Sequence, residues 1–183
     1  MNQSETRRIL ELVRGGELSV ADAVLKLRMQ PFEDIGFAKL DHHRALRQGV
    51  AEVVYGAGKT PEQILQIAAA MLPREKRTIL ITRLSPEAAG VLQSSYPLHY
   101  HEIARMGVIG GLPAPDGIGK IVVATGGTSD MPVAEEAALT AEALGNTVVR
   151  IYDVGVAGLH RLLAHLDEIM SAKVIIAIAG MEG

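Results

Sequence analysis

Lys120-Ile-Val-Val-Ala-Thr-Gly-Gly-Thr-Ser-Asp-Met-Pro132 joins a short apolar run to a helix start through two glycines. Ile121 to Ala124 has the β-branched character of a buried strand. Val133 to Leu144 is rich in Ala and Glu and reads as a helix, with Ser129 or Asp130 as its cap and Pro132 in its first turn. A glycine-bearing strand-to-helix turn exposes backbone N–H groups at a helix N-terminus, where the dipole favours a phosphate or carboxylate. The same residues would also make an ordinary capped βα-loop.

The pattern continues outward. Gly145-Asn146 stops the helix, and Thr147 to Tyr152 is a second strand. Val156 to Met170 is expected as one helix with Leu159, Leu162, Leu163 and Leu166 inward, and Val174 to Ala179 as a third strand. This βαβαβ order implies parallel strands, whose ligands bind outside the carboxyl ends. Three loops meet there: Gly126 to Asp130; Asp153 to Ala157 with the following His160 and Arg161; and Gly180 to Gly183. The candidate binding residues are Gly126, Gly127, Thr128, Ser129, Asp130, Asp153, Val154, Gly155, His160 and Arg161. Taken singly, Asp153 could be a helix cap, and His160-Arg161 an exposed helix face. Three parallel strands make a small sheet against the usual five or six. The domain is therefore expected to be interrupted: a fragment, a truncation, or a unit completed by another chain.

Upstream, residues 4 to 30 form two short amphipathic helices, capped by Ser4 and Ser19 and separated by Gly15-Gly16. Ala38-Lys-Leu-Asp-His-His-Arg44 gathers titratable groups. Adjacent side chains do not converge on one metal ion, so His42, His43 and Arg44 suit an anion-binding or ion-paired turn, or a solvated loop. No metal site is expected. Gly56-Ala-Gly-Lys-Thr60 lacks the upstream glycine of a phosphate loop, because position 53 is Val. Thr60-Pro-Glu-Gln63 instead starts a helix to about Met71, with a capping box. Arg77 to Arg83 is a strand, Ser85-Pro86 starts another helix, and Tyr96 to Arg105 is a further strand. Gly110 to Gly117 is a Pro/Gly connection. The expected organisation is a helical hairpin over 1–31, an α/β region over 32–116 and a parallel domain over 117–183.

Composition narrows the chemistry. The 183 residues are 48% hydrophobic but only 3% aromatic, which suits an Ala/Val/Ile/Leu core of α/β type and leaves few platforms for base stacking. A net charge of -3 gives no basic footprint for nucleic acid or anionic membrane. With no Cys, disulfides, Cys-ligated zinc and thiolate catalysis by these residues are excluded. The polar start and the absence of a spanning apolar run point to a cytoplasmic protein.

Thr125-Gly-Gly-Thr-Ser-Asp-Met-Pro-Val-Ala-Glu-Glu136, Tyr152-Asp-Val-Gly-Val-Ala-Gly-Leu-His-Arg161 and Ala179-Gly-Met-Glu-Gly183 resemble the LarB family, as do the 38–44 and 56–63 stretches. That family starts nickel-pincer cofactor biosynthesis for lactate racemase. From about residue 117 the chain is also similar to the PurE-type aminoimidazole ribonucleotide (AIR) carboxylases, whose Ser-Asp loop matches Ser129-Asp130. The resemblance implies a partial PurE-like, flavodoxin-like parallel sheet and a homo-oligomer. It implies nicotinic acid adenine dinucleotide as substrate and CO2 or bicarbonate as co-substrate. The pyridinium ring is carboxylated and the phosphoanhydride hydrolysed, releasing AMP and a biscarboxylate mononucleotide. Mg2+ is a further candidate cofactor, with Asp130 holding it or ribose hydroxyls. In that family a cysteine adds to the ring, and the resemblance implies that a glutamate, here Glu182, sits near the carboxylation site as the catalytic residue. No cysteine is present, so the chain is expected to be inactive as it stands. The alternatives are an AIR carboxylase or mutase and a nucleotide-binding module without turnover.

Overall fold

The computed structural model describes residues 3–29, 32–41, 53–73 and 78–181. The chain divides into two compact units, 1–52 and 53–183.

In the first unit, α1 (Gln3–Arg14) and α2 (Val20–Met29) are joined through Gly16 at φ 75, with the Glu17 N–H donating to Leu12 O at 3.0 Å. Helix α1 begins before Ser4, so Ser4 lies inside the first turn and is not its cap. Ser19 does cap α2, accepting the Asp22 N–H at 3.0 Å. A short antiparallel pair, β1 (Phe32–Asp34) and β2 (Lys39–Asp41), follows.

The second unit holds two sheets. The first has β3 (Val53–Tyr55) parallel to β4 (Ile79–Thr82), then β6 (Met106–Ile109) and β5 (Leu98–His101), both pairings of β6 being antiparallel. Helix α3 (Pro61–Met71) links β3 to β4. Its capping box is complete: Thr60 Oγ1 accepts the Gln63 N–H at 3.2 Å, and Gln63 Oε1 accepts the Thr60 N–H at 3.0 Å. Lys59 folds back onto Tyr55 O at 2.7 Å rather than facing a phosphate cradle. Ser85 caps α4 (Pro86–Gln93) in the same way. The expected strand over 96–105 is instead the β5 strand and a turn, and β6 is an additional, wholly buried strand. Gly107 lies at its centre because a Cβ there would stand 2.7 Å from Leu84 Cδ2 and 2.8 Å from Leu98 Cδ1.

The second sheet is parallel throughout, in the order β8 (Thr147–Ile151), β7 (Lys120–Thr125), β9 (Val174–Ile178). With its partner helices it has the doubly wound, flavodoxin-like α/β arrangement. Strand residues alternate between the two faces. Ile121 and Val123 pack on Ala134 and Ala138 of α5 (Met131–Ala143). Val122 and Ala124 meet Leu162, Ile169 and Ala172 on the opposite face. Helix α5 also packs against the first sheet, through Leu139 and Ala143 on Leu80, Met106 and Val108. Its small side chains let it lie between two sheets. Gly145 at φ 81 ends it, as its sequence signal indicated.

The helix expected over 156–170 is broken. A 3-10 turn spans Val156–Gly158, followed by α6 (Leu159–Leu163) and α7 (Leu166–Met170). The His165 N–H bonds to Leu162 O, three residues back, which tightens the last turn of α6 and redirects the chain. Only Leu162 of the four expected leucines packs into the core. Leu159, Leu163 and Leu166 are about half exposed. Among the described residues no helix is long and apolar enough to cross a membrane.

Candidate functional site

The order β8-β7-β9 puts the first strand of the unit in the middle. The chain leaves β7 toward one side and returns to the other, so the carboxyl ends of β7 and β9 form a topological switch point. A cleft of about 470 Å3 opens there. Its walls come from all three strand-end loops: Gly126, Gly127, Ser129 and Asp130; Gly155, Val156 and Ala157; Gly180 and Met181.

The first loop differs from the capped start read in the sequence. A 3-10 turn, Thr128–Asp130, runs straight into α5, which begins at Met131. Neither Ser129 nor Asp130 caps α5. Gly127 holds the cap position of the turn, and Asp130 reaches back so that its Oδ2 accepts the Gly127 N–H at 2.9 Å. That is the carboxylate half of a capping box. A negative charge already complements the helix N-terminus, so the turn does not offer the Gly127 N–H to a substrate phosphate. It offers a carboxylate to hydrogen-bond donors.

The second loop is sewn onto the first. The Asp153 N–H donates to Thr125 Oγ1 at 2.9 Å, Val154 N–H to Thr125 O and Gly155 N–H to Gly126 O, both at 3.0 Å. Asp153 has φ 58 and is not a helix cap. Its Oδ2 instead accepts from Arg161 Nη1 at 2.5 Å. The third loop is tied in by the Gly126 N–H, which donates to Ile178 O at 3.0 Å.

A partly buried ionic network joins α5 to β8 and the residue that follows it. Arg150 forks onto both oxygens of Glu142, at 2.5 and 2.9 Å, and its Nε meets Glu135 at 3.2 Å. The Tyr152 hydroxyl donates to Glu135 at 2.8 Å. Burial, then the bond to the Glu135 carboxylate, holds the Tyr152 phenol well above its ordinary pKa. The hydrogen bond to Glu142 does the same for the Arg150 guanidinium.

Residues 32–111 match the family model of the LarB/PurE-like N-terminal domain. A protein of Methanocaldococcus jannaschii, named uncharacterized protein MJ0165, is 34% identical over 186 residues, covering 97% of this chain and 73% of that one. The chain belongs to the LarB/PurE-like family. Carboxylase-type enzymology goes with that family.

Within this LarB/PurE-like chain, Gly126, Gly127, Ser129, Asp130 and Gly155 share the cleft. Thr128 belongs to the same turn without lining it. Val154 is buried beneath the second loop against Val122 and Ile151. Asp153 and Arg161 pair beside the cleft, and His160 is exposed on α6. Glu182, and the His42, His43 and Arg44 set, lie outside the described residues. Among the described residues no group of three or more His, Cys, Asp or Glu is disposed to hold a metal. Sequence reasoning passed over Thr125, whose signal was a hydroxyl closing an apolar strand.

Proposed function

We propose that this chain supplies the substrate-holding half of a LarB-type pyridinium carboxylase and phosphoanhydride hydrolase. The substrate is nicotinic acid adenine dinucleotide, with CO2 or bicarbonate as co-substrate. The observation that carries the proposal is the cleft at the β7/β9 switch point, where Asp130 presents one carboxylate between glycine-lined loops, in a chain of a carboxylase-type family. Asp130 accepts hydrogen bonds from ribose hydroxyls. Gly127 leaves room for the sugar and ring to approach the backbone, Gly126 and Gly155 let the loops that hold them pack together, and Thr128 and Ser129 add their hydroxyls. Arg161, next to His160 in the chain, takes the phosphate with the N–H groups that its bond to Asp153 leaves over. Val154 supports the second loop from below.

The chemistry asks more than binding. A pyridinium is electron-poor and attacks CO2 only after a nucleophile has added to the ring. The new ring-carbon to carboxyl-carbon bond leaves a C–H proton that a base must remove, the role given to Glu182. The added nucleophile then leaves with its electron pair. No thiol for that addition is present among these residues. A Mg2+ ion would enter with the substrate phosphates and find Asp130 as its protein ligand, since among the described residues Asp130 is the carboxylate lining the cleft. A homo-oligomer is part of the same proposal, read out by light scattering.

Calorimetric titration of the 183-residue chain with nicotinic acid adenine dinucleotide, with and without Mg2+, tests this reading. Binding is expected, weakened at least tenfold by Asp130→Asn, a loss of about 1.4 kcal/mol. A preference for aminoimidazole ribonucleotide would transfer the chain to the AIR carboxylases, and binding of neither would refute the site. With 13C-bicarbonate no biscarboxylated product is expected; its appearance would overturn the division into a holding half.

A further inference from the structure

Thr125 departs from its own strand. Ile121 to Ala124 are apolar, and the position that closes β7 is only 2% exposed, yet it carries a hydroxyl. Valine would fill the same volume and suit a buried strand without a polar atom to satisfy. The hydroxyl is in use: it accepts the Asp153 N–H at 2.9 Å, while the Thr125 carbonyl accepts the Val154 N–H at 3.0 Å. The residue so held, Asp153, stands at φ 58, in the left-handed region that side-chain-bearing residues seldom occupy. Its carboxylate ends 2.5 Å from Arg161 Nη1. Two bonds from one strand end thus fix the backbone on both sides of the Asp153 Cα.

We propose that Thr125 is a positioning residue: through the Asp153 N–H it holds Asp153 left-handed, and Asp153 in turn sets where the Arg161 guanidinium stands beside the cleft. The part concerning ligand rests on Arg161 taking the substrate phosphate; the clamp itself does not. A hydroxyl in a dry strand end is directional, so the second loop has one geometry rather than a range of them.

The test compares the intact chain with Thr125→Val and Thr125→Ser. Amide hydrogen exchange is followed residue by residue, and affinity for nicotinic acid adenine dinucleotide is measured by calorimetry. In T125V the Asp153 amide is expected to exchange at least tenfold faster while the amides of Val122 and Val123 keep their protection. The dissociation constant is expected to rise about tenfold, or about 1.4 kcal/mol. T125S, which keeps the hydroxyl and loses the methyl, is expected to recover both. Unchanged exchange in T125V would overturn the clamp. A loss of affinity that T125S does not recover would reduce Thr125 to packing. If the unmodified chain binds no dinucleotide, the functional reading falls, while the exchange comparison still decides the clamp. Should T125V not fold, Asp153→Asn takes its place: the residue-153 amide is expected to stay protected while affinity changes, and unchanged affinity would overturn the link to Arg161.

Discussion

Replacing Gly155 by alanine puts a methyl carbon 2.5 Å from the Gly126 carbonyl oxygen and 3.3 Å from its carbon. An ordinary carbon-to-carbonyl-oxygen contact is about 3.3 Å, so the two loops must part by about 0.8 Å. The Gly155 N–H bond to that same oxygen, now 3.0 Å, would stretch past hydrogen-bonding range. Its loss costs about 1 kcal/mol, and the forced shift in a packed site about 2 kcal/mol more. The obstacle is backbone on both sides, so no side-chain rotation relieves it. The expected destabilisation is about 3 kcal/mol, a large share of the 5–15 kcal/mol that typically holds a domain. With a urea slope of about 2 kcal/mol per M, the midpoint should fall by about 1.5 M. Far-UV circular dichroism is the probe of choice, because the chain has no Trp. The same variant should abolish ligand binding even where it remains folded, since Gly126 and Gly155 both line the cleft. A midpoint within about 0.2 M of the parent would refute the reasoning. It would mean that the loops after β7 and β8 are not packed on each other.

The ionic network gives two further predictions. Arg150→Ala leaves Glu135 and Glu142, each about four-fifths covered, without their cation, and should cost about 2 kcal/mol, less than a fully buried pair because water screens part of it; thermal melting at pH 7 measures this, and an unchanged midpoint would show the pairs to be idle. Tyr152 has a folded-state pKa raised above its ordinary 10.0, so its contribution is complete below pH 10 and is lost as pH rises beyond it. Tyr152→Phe should therefore show a flatter fall in melting temperature between pH 10 and 11.5 than the parent, as well as a lower melting temperature at pH 8; parallel curves would sink the assignment.

The parallel sheet was legible because its strands are β-branched runs set between helices whose starts and stops carry distinct residues. Thr60 with Gln63 and Ser85 with Ala88 act through contacts within four residues, so local sequence suffices to read them, and Gly145 is read from the positive φ that closes a helix. Strand β6 was not legible. It is four residues long and has Gly107 at its centre, and that glycine is needed only because Leu84 and Leu98 close in from elsewhere in the chain. The break at Ala164-His165 was hidden for a similar reason. The leucine spacing is continuous across it, while the turn that interrupts the helix is closed by the His165 N–H on Leu162 O, a bond that the spacing does not announce. In the cleft, sequence placed Asp130 correctly at the helix start but not its direction. An acid three residues after a glycine cap and an acid at the cap itself differ by a register shift that no local pattern distinguishes. One arrangement leaves an anion site and the other fills it.

Helix α5 ties the cleft to both sheets. Its consecutive acids diverge: Glu135 reaches Arg150 and Tyr152 on the parallel sheet, while Glu136 meets Arg83 Nε at 2.8 Å, at the carboxyl end of β4 in the other sheet. Arg83 itself has φ 52. Leu139 and Ala143 then bury against the mixed sheet, and Ala134 and Ala138 against the parallel one. A helix packed on one sheet could rock about its axis and carry the 126–130 turn with it. Here such a rotation would break an ion pair and unpack alanines on one side to gain nothing on the other. The first loop is therefore anchored through α5 to both sheets, and the second is anchored to the first through Thr125 and Gly126. The third wall joins them at its base, where the Gly126 N–H donates to Ile178 O and a Cβ on Gly126 would stand 3.0 Å from Ala179 Cβ, so that all three loops meet on Gly126.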